Sequence, residues 1–193
     1  MLIVSADPDR VETDLVAGVV ACPACQGVLA RWGWARRRHV RAEAGPLPLQ
    51  PRRGRCRECK KTHVLLPDVV LARRVDSAAV IGAALLGAAG GAGHRPIARR
   101  LGRPVDTVRG WLRRTRASTA RIREHFSAWA HALDPLLSPA APAGTALADA
   151  VETIAGAARA ASLRLGLRPV WSWASAMTAG ALLSNTNCPW PAP

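Results

Sequence analysis

The chain has no tyrosine, a single phenylalanine and only two lysines among its 27 Lys and Arg residues. The absence of tyrosine excludes recombination through a tyrosine nucleophile. The least polar run, residues 77–93, is mostly alanine and glycine and is shorter than the roughly 20 apolar residues that span a bilayer. The first 14 residues carry four acids and no continuous apolar run, unlike a secretory signal. We therefore expect a cytoplasmic, nucleoid-associated protein with no membrane partner.

Acidic residues are scarce: 13 Asp and Glu oppose 27 Lys and Arg, which leaves a net charge of +14. The excess lies in two segments. Residues 31–74 hold 13 basic and three acidic residues, and residues 94–123 hold ten arginines and one acid, Asp106. Such an excess favours a polyanionic partner, with nucleic acid the commonest and an acidic membrane surface the alternative. The preference for arginine suits bidentate contacts with phosphate or guanine, and is equally typical of a GC-rich genome.

Four of the five cysteines form two Cys-x-x-Cys pairs, Cys22 with Cys25 and Cys56 with Cys59. In a reducing compartment such pairs bind metal or carry out redox chemistry more often than they form structural disulfides. A redox motif would need one pair in a βαβ context, and unconnected thiols are the remaining alternative. Four thiolates suit a closed tetrahedral site, so we predict one structural Zn²⁺. The fifth cysteine, Cys188, has no partner.

The segment between the two pairs predicts a zinc ribbon, a short antiparallel sheet with a metal-binding turn at each end. Strand-like pieces occur at 28–34, 37–41, 49–55 and 63–66, with a turn rich in proline and glycine at 45–51. We expect Gly27 to adopt the left-handed conformation in the first cysteine turn, and Lys60 to hold the corresponding place at some cost in the second. His39 and His63 are interpreted as surface or packing residues, because four cysteines already complete the site.

The second basic segment, residues 93–116, predicts two short helices joined by a tight turn. Gly102 can end the first helix in the left-handed conformation, and Pro104 can open the second. A third helix precedes them over 76–89, capped by Asp76 or Ser77. Helical spacing predicts two sets of core residues: Val80, Ile81 and Leu85 in the leading helix, and Val105, Val108, Trp111 and Leu112 in the last. Three such helices make a helix-turn-helix domain, and a plain helical hairpin with a basic face is the alternative.

The sequence IARRLGRPVDTVRGWLRR, residues 97–114, resembles the helix-turn-helix of bacterial insertion-sequence transposases, which commonly reads Ile-Ala-x-x-Leu-Gly, then Thr-Val, then Trp-Leu. The order Cys-Pro-x-Cys-x-Gly, Cys-x-x-Cys-x-x-Thr-His and helix-turn-helix is similar to an uncharacterised actinobacterial family of zinc-ribbon plus helix-turn-helix proteins, over residues 20–116. The resemblance implies binding to double-stranded DNA and a link to mobile elements. Lys60 departs from the glycine usual at its place in that family.

The predicted DNA contacts fall into two classes. On the outer face of the last helix, Arg109 and Arg113 can reach base edges, with Asp106 orienting Arg109 or accepting from cytosine, and Arg114 beside them. The ribbon arginines lack such a platform and are assigned to phosphates: Arg36, Arg37, Arg38, Arg52 and Arg53.

The predicted fold class is mainly α with a small β zinc ribbon. The expected ranges are an N-terminal extension (1–19), the zinc ribbon (20–68), the helix-turn-helix domain (74–116), a C-terminal helical region (117–184) and a proline-rich tail (185–193). Amphipathic helices are expected up to about Leu133, from Thr145 to Leu165 with a stop at Gly166, and after Pro169. Their apolar faces either pack into a core or pair two chains as a homodimer.

These patterns favour a DNA-binding protein without catalysis, either a transcriptional regulator or a mobile-element accessory protein. Three-carboxylate strand transfer needs acids placed by a sheet around metal ions. The acids after residue 116 all fall in helical or linker context: Glu124, Asp134, Asp149 and Glu152. Two alternatives stay open, the DNA-targeting half of a split transposase and a zinc-ribbon module that binds RNA or protein.

Overall fold

The computed structural model describes residues 1–138, 141–184 and 189–193. Cys188 and the start of the predicted tail lie outside these ranges. The protein is mixed α/β, with small sheets in its first third and helices after them. The strands are β1 (Leu2–Val4), β2 (Leu29–Trp34), β3 (Arg38–Ala42), β4 (Gly45–Leu49), β5 (Arg52–Cys56) and β6 (Thr62–Pro67). The helices are α1 (Pro8–Val16), α2 (Ala78–Ala89), α3 (His94–Leu101), α4 (Val105–Ala117), α5 (Thr119–Leu133), α6 (Ala146–Leu165) and α7 (Val170–Met177).

The larger sheet has the strand order β1-β6-β5-β2. Strands β2, β5 and β6 pair antiparallel, and β1 joins β6 in parallel. Helix α1 covers one face of this sheet, where Val11 and Leu15 are buried with Leu29 and Leu65. Residues 1–19, which the sequence analysis treats as an extension, thus contribute a strand and a helix to the same unit.

Strands β3 and β4 form a separate hairpin. The prediction of a turn over 45–51 is wrong, because Gly45–Leu49 is a strand. Pro46 and Pro48 lie opposite Arg41 and His39, two residues apart. Both proline nitrogens therefore face the free edge of the hairpin, where no backbone donor is needed.

Helices α2, α3 and α4 begin and end close to the predicted positions. The Ser77 hydroxyl accepts from the backbone N–H of Val80 at 3.2 Å and caps α2, and Gly102 ends α3 with φ of 60°. The predicted core positions are buried except Val105, which is 41% exposed. Val105 is the first residue of α4, and the buried stripe starts one turn later at Val108.

Helices α5, α6 and α7 share one hydrophobic core with α2, α3 and α4. Ile122 and Phe126 of α5 and Ile154 of α6 are fully buried in it. Leu165 is 57% exposed, because it ends the helix just before Gly166. None of the helices in the described ranges combines the length and apolar character needed to cross a bilayer.

Candidate metal centre and basic surfaces

The four predicted ligand cysteines come together at one end of the larger sheet. Pairing of Leu29 with Cys56 places the first cysteine turn (22–27) beside the second (56–61). All four sulfur atoms lie within 4.8 Å of one another, with Cys22 Sγ 3.7 Å from Cys59 Sγ and Cys25 Sγ 3.5 Å from Cys56 Sγ. A tetrahedral ion with metal–sulfur bonds of about 2.3 Å would hold its ligands about 3.8 Å apart. The cluster therefore fits a tetrahedral metal site.

Both cysteine turns contain a residue in the left-handed backbone conformation at the same position. Gln26 and Lys60 each follow the second cysteine of their pair, and each has φ of 62°. The expectation that Gly27 supplies this conformation is wrong. Gly27 serves a different purpose: a Cβ there would lie 1.7 Å from Oε2 of Glu58, so only glycine lets that side chain cross the turn undisturbed.

The thiols of the cluster differ in acidity. Burial opposes ionisation of Cys22, but hydrogen bonds from the backbone N–H groups of Ala24 and Cys25 and from neighbouring thiols outweigh it and lower the pKa to about 6. Burial raises the pKa of Cys56 to about 12, and its hydrogen bond to Oε2 of Glu58, at 3.1 Å, acts in the same direction. The same bond lowers the pKa of Glu58. A bound metal must displace the Cys56 proton, so metal affinity should fall as the pH falls.

His63, predicted as a surface or packing residue, lies against the cysteine cluster. Its Nε2 atom is 3.4 Å from Sγ of Cys22. A ring N–H at this position can donate to a metal-bound thiolate, while the four cysteines remain the ligand set. His39 is exposed on β3, away from the ligands.

The structure brings three of the predicted base-reading residues onto one exposed face of α4. Arg109 and Asp106 form an ion pair at 2.9 Å with side chains 66% and 82% exposed, and Arg113 is exposed one turn further on. Arg114 is half-buried, and its side chain lies over Gly110: its Nη1 atom is 3.1 Å from the position that a Cβ atom on residue 110 would occupy. The three side chains therefore lie at the surface of α4, with Asp106 in contact with Arg109.

The predicted phosphate-binding arginines are not equivalent. Arg36, Arg37 and Arg38 are exposed where β2 leads into β3. Arg52 is only 13% exposed, and it binds Glu12 of α1 at 2.5 Å and the carbonyl of Gly33 at 2.9 Å. Its guanidinium is engaged inside the fold, which contradicts a role in phosphate binding. Arg53 is half-buried, and its Nε has no hydrogen-bond partner in the described part of the chain.

The sequence analysis misses an ion-pair network that joins the hairpin to the helices. Asp76, with a side chain 3% exposed, accepts from Arg41 of β3 at 2.7 Å and from Arg103 at 2.6 Å. Arg103 lies in the turn between α3 and α4 and also donates to the carbonyl of Ala42, at 3.2 Å. No local pattern marks this contact, because the three residues are far apart in the chain and the local sequence predicts Asp76 as a helix cap.

Comparison with protein-family models finds a match to part of the chain. Residues 22–98 are similar to a domain of unknown function, DUF6431. No curated protein and no solved structure matches the chain significantly. The matched region starts at Cys22, contains all four clustered cysteines and ends within α3. The similarity therefore covers the cysteine cluster, the strands from β2 to β6 and helix α2.

Proposed function

We propose that this chain is a sequence-specific double-stranded DNA-binding protein stabilised by one zinc ion, acting as a transcriptional regulator or a mobile-element accessory protein. The observation that carries the proposal is the exposed face of α4. Arg109 and Arg113 stand one turn apart on it, while Val108, Trp111 and Leu112 hold the opposite face in the core. A helix held this firmly can present two guanidinium groups to base edges in a major groove.

In this proposal α3 and α4 form a helix-turn-helix, with α4 as the recognition helix and α2 as the supporting helix. The left-handed Gly102 allows the sharp turn between α3 and α4. Arg103, directly after Gly102, is fixed by Asp76, so the turn is tied to the start of α2. The two arginines of α4 would then reach the bases as a rigid pair.

The metal in this proposal is zinc and is structural. Zinc commonly takes four cysteine ligands in tetrahedral geometry, and a set of four thiolates leaves no open position for catalysis. The sheet and the two cysteine turns then form a zinc ribbon. Zinc with four thiolates carries a formal charge of −2, which Arg55, Arg57, Lys60 and Lys61 in and beside the second cysteine turn can offset.

The exposed arginines Arg36, Arg37 and Arg38 are the proposed phosphate contacts. The network of Arg41, Asp76 and Arg103 fixes the hairpin that follows them relative to α3 and α4. Phosphate contacts set the position of a protein on DNA without reading sequence. The hairpin side would therefore set affinity, and α4 would set specificity.

The proposed role is binding and not catalysis. In the described residues after Pro67 there are no strands to place a cluster of carboxylates around metal ions. Asp149 is instead engaged locally, accepting from the backbone N–H of Ala143 at 2.7 Å and lying 4.0 Å from Arg123.

The test compares Arg113→Ala with Arg37→Ala on two duplexes, one selected from random sequence by the wild-type protein and one random. Arg113→Ala should weaken binding to the selected duplex about 5- to 150-fold, the equivalent of about 1 to 3 kcal/mol, and relax its sequence preference. Arg37→Ala should weaken both duplexes alike and lower the salt dependence by about one unit of slope.

The outcome that contradicts the proposal is equally specific. If Arg113→Ala weakens both duplexes equally and leaves the preferred sequence unchanged, α4 does not read bases. If the wild-type protein selects no sequence at all, the chain is not a sequence-specific DNA-binding protein.

A further inference from the structure

Trp32 is an exposed aromatic residue to which the proposed function gives no role. It lies in β2 and is 52% exposed. Strand β2 pairs with β5, and the register between them shifts at Arg31 and Gly33, which makes Trp32 an extra, bulged residue. A β-bulge bends the strand and re-aims its side chains. An exposed tryptophan at such a position needs an explanation beyond core packing.

Contacts show that Trp32 and Trp34 lie on opposite faces of the sheet. Trp34 packs with Arg52, whose guanidinium carbon is 4.5 Å from the ring centre, and Arg52 binds Glu12 of α1. Trp34 is therefore on the face that α1 covers. Trp32 packs with Arg55, at 4.4 Å, and Arg55 alternates along β5 with Cys56, which is buried on the α1 side. We call the opposite face, which carries Trp32, Arg53, Arg55 and Val64, the outer face.

The outer face is positively charged and contains an aromatic ring. Strands β2, β5 and β6 contain no acidic residue. Arg53 pairs across the sheet with Val64, and its Nε atom is buried without a hydrogen-bond partner among the described residues. Arg57 and Lys61 lie in the second cysteine turn, between β5 and β6, and both are exposed. Arg55 donates from Nε to the Lys60 carbonyl at 3.3 Å. No ion pair in the described ranges involves Arg53, Arg55, Arg57 or Lys61, so no carboxylate of the described residues neutralises them.

We propose that the outer face binds single-stranded nucleic acid, with an unpaired base stacked on Trp32 and the adjoining phosphates paired with Arg53 and Arg55. Proteins that bind single strands combine an aromatic platform for bases with basic side chains that follow the backbone. A sheet with an exposed ring and arginines on one face supplies both components. Duplex DNA does not fit the stacking role, because its bases are already stacked on one another.

This site is separate from α4 and does not depend on the proposed reading of duplex DNA. Its ligand chemistry, an unpaired base and a phosphodiester, is common to DNA and RNA. Single-stranded DNA would arise next to a duplex that is being opened, and RNA would be an independent ligand. The two sources are distinguished by testing both nucleic acids in the same sequence.

The experiment uses the zinc-loaded full chain and labelled 12-nucleotide single strands, one of DNA and one of RNA, with binding followed by fluorescence anisotropy. Trp32→Ala should weaken the preferred strand about 5- to 150-fold, as removal of a stacking ring does elsewhere. Trp32→Phe should retain most of the affinity. Trp34→Ala is the matched control, since it removes a similarly exposed ring from the same strand on the other face, and it should change binding less than ~2-fold.

Three outcomes overturn the proposal: no measurable binding of either strand by the wild-type chain, unchanged binding by Trp32→Ala, or an equal loss with Trp34→Ala. Zinc content and circular dichroism establish that each variant is folded. A second measurement needs no alanine variant: the indole N–H resonance of Trp32, identified by its absence in Trp32→Phe, should shift when a single strand is added. Arg113→Ala on a selected duplex reports separately on the proposed function, so either idea can fail alone.

Discussion

Asp76 shows how one buried charge can organise two parts of this chain. Its carboxylate is 3% exposed and accepts from two arginines, Arg41 on the hairpin and Arg103 in the turn before α4. Burying a carboxylate is costly unless hydrogen bonds to partners replace its hydration. Arg41 and Arg103 supply them, and in doing so they fix the hairpin against the helices.

Asp76→Asn should destabilise the protein by about 2 to 4 kcal/mol, because it leaves two arginines without their counter-charge. The loss should be near the lower end of this range, because the side chain of Arg41 is 44% exposed and can be hydrated by water instead. Asp106→Asn removes a similar carboxylate from an ion pair whose members are 66% and 82% exposed, and should cost less than about 1 kcal/mol. Urea denaturation of both variants measures the difference. Equal losses would show that burial of Asp76 contributes nothing.

Single residues were predicted well where local geometry decides and poorly where a distant contact does. The four ligand cysteines follow from their spacing, and the left-handed Gly102 follows from helix-ending chemistry. Gln26 was missed because the neighbouring glycine seemed the natural left-handed residue. That glycine instead leaves room for the side chain of Glu58 from the other cysteine turn, which no local pattern reveals.

At the scale of elements, two glycines inside helices have opposite roles. Gly82 of α2 is buried, and a Cβ there would lie 2.0 Å from Cε2 of Trp171 in α7. At Gly156 of α6, no atom lies within 4 Å of the position that a Cβ atom would occupy. The first glycine allows two helices to approach, while the second only weakens its helix.

Gly82→Ala should therefore destabilise the protein by about 1 to 3 kcal/mol, since Trp171 must move or α2 and α7 must separate. Gly156→Ala should stabilise it by up to about 1 kcal/mol through helix propensity alone. Thermal unfolding followed at 222 nm compares the two variants directly. A shift of both melting temperatures in the same direction would contradict the assigned roles.

Helices were predicted more closely than strands, for a physical reason. Capping residues and apolar spacing are local, so Ser77, Thr145 and Gly166 mark helix ends within a residue or two. Strand pairing depends on partners that are distant in the chain. The parallel pairing of β1 with β6 joins residues more than 60 positions apart, and β4 was obscured by its two prolines.

At the scale of the whole molecule, the apolar faces of the C-terminal helices are mostly used within the chain. Three exposed leucines lie at the end of α6 and just beyond it, where Leu163, Leu165 and Leu167 are 77%, 57% and 93% exposed. We propose that residues 145–184 pair two chains, and we assign the contact to these leucines. A dimer would let two copies of α4 span two half-sites.

Leu167→Asp combined with Leu163→Asp should convert a dimer to a monomer in light scattering at micromolar concentration. Leu86→Asp is the control: it replaces a leucine of α2 that is 53% exposed and lies away from the proposed contact, and it should leave the dimer intact. The idea fails if the wild-type chain is monomeric both with and without DNA.

The hydrophobic residues divide the molecule into unequal parts. One large cluster joins α2 to α7, whereas the larger sheet depends on a small cluster that includes the ligands Cys22 and Cys56. So small a core contributes little stability, and zinc binding would supply much of the folding free energy of residues 20–68. Helices α2 to α7 have a core that needs no metal.

Removal of zinc by a chelator should therefore unfold the sheet and leave helices α2 to α7. Hydrogen exchange should show loss of protection in β2, β5 and β6, with α5 and α6 retaining theirs, and Cys56→Ser should reproduce the pattern. Added zinc should restore protection, and more zinc should be needed at lower pH because Cys56 must release its proton. Unchanged protection in β5 after chelation would exclude a structural metal. Equal loss in β5 and α6 would show instead that the ties through Asp76 make the two parts one cooperative unit.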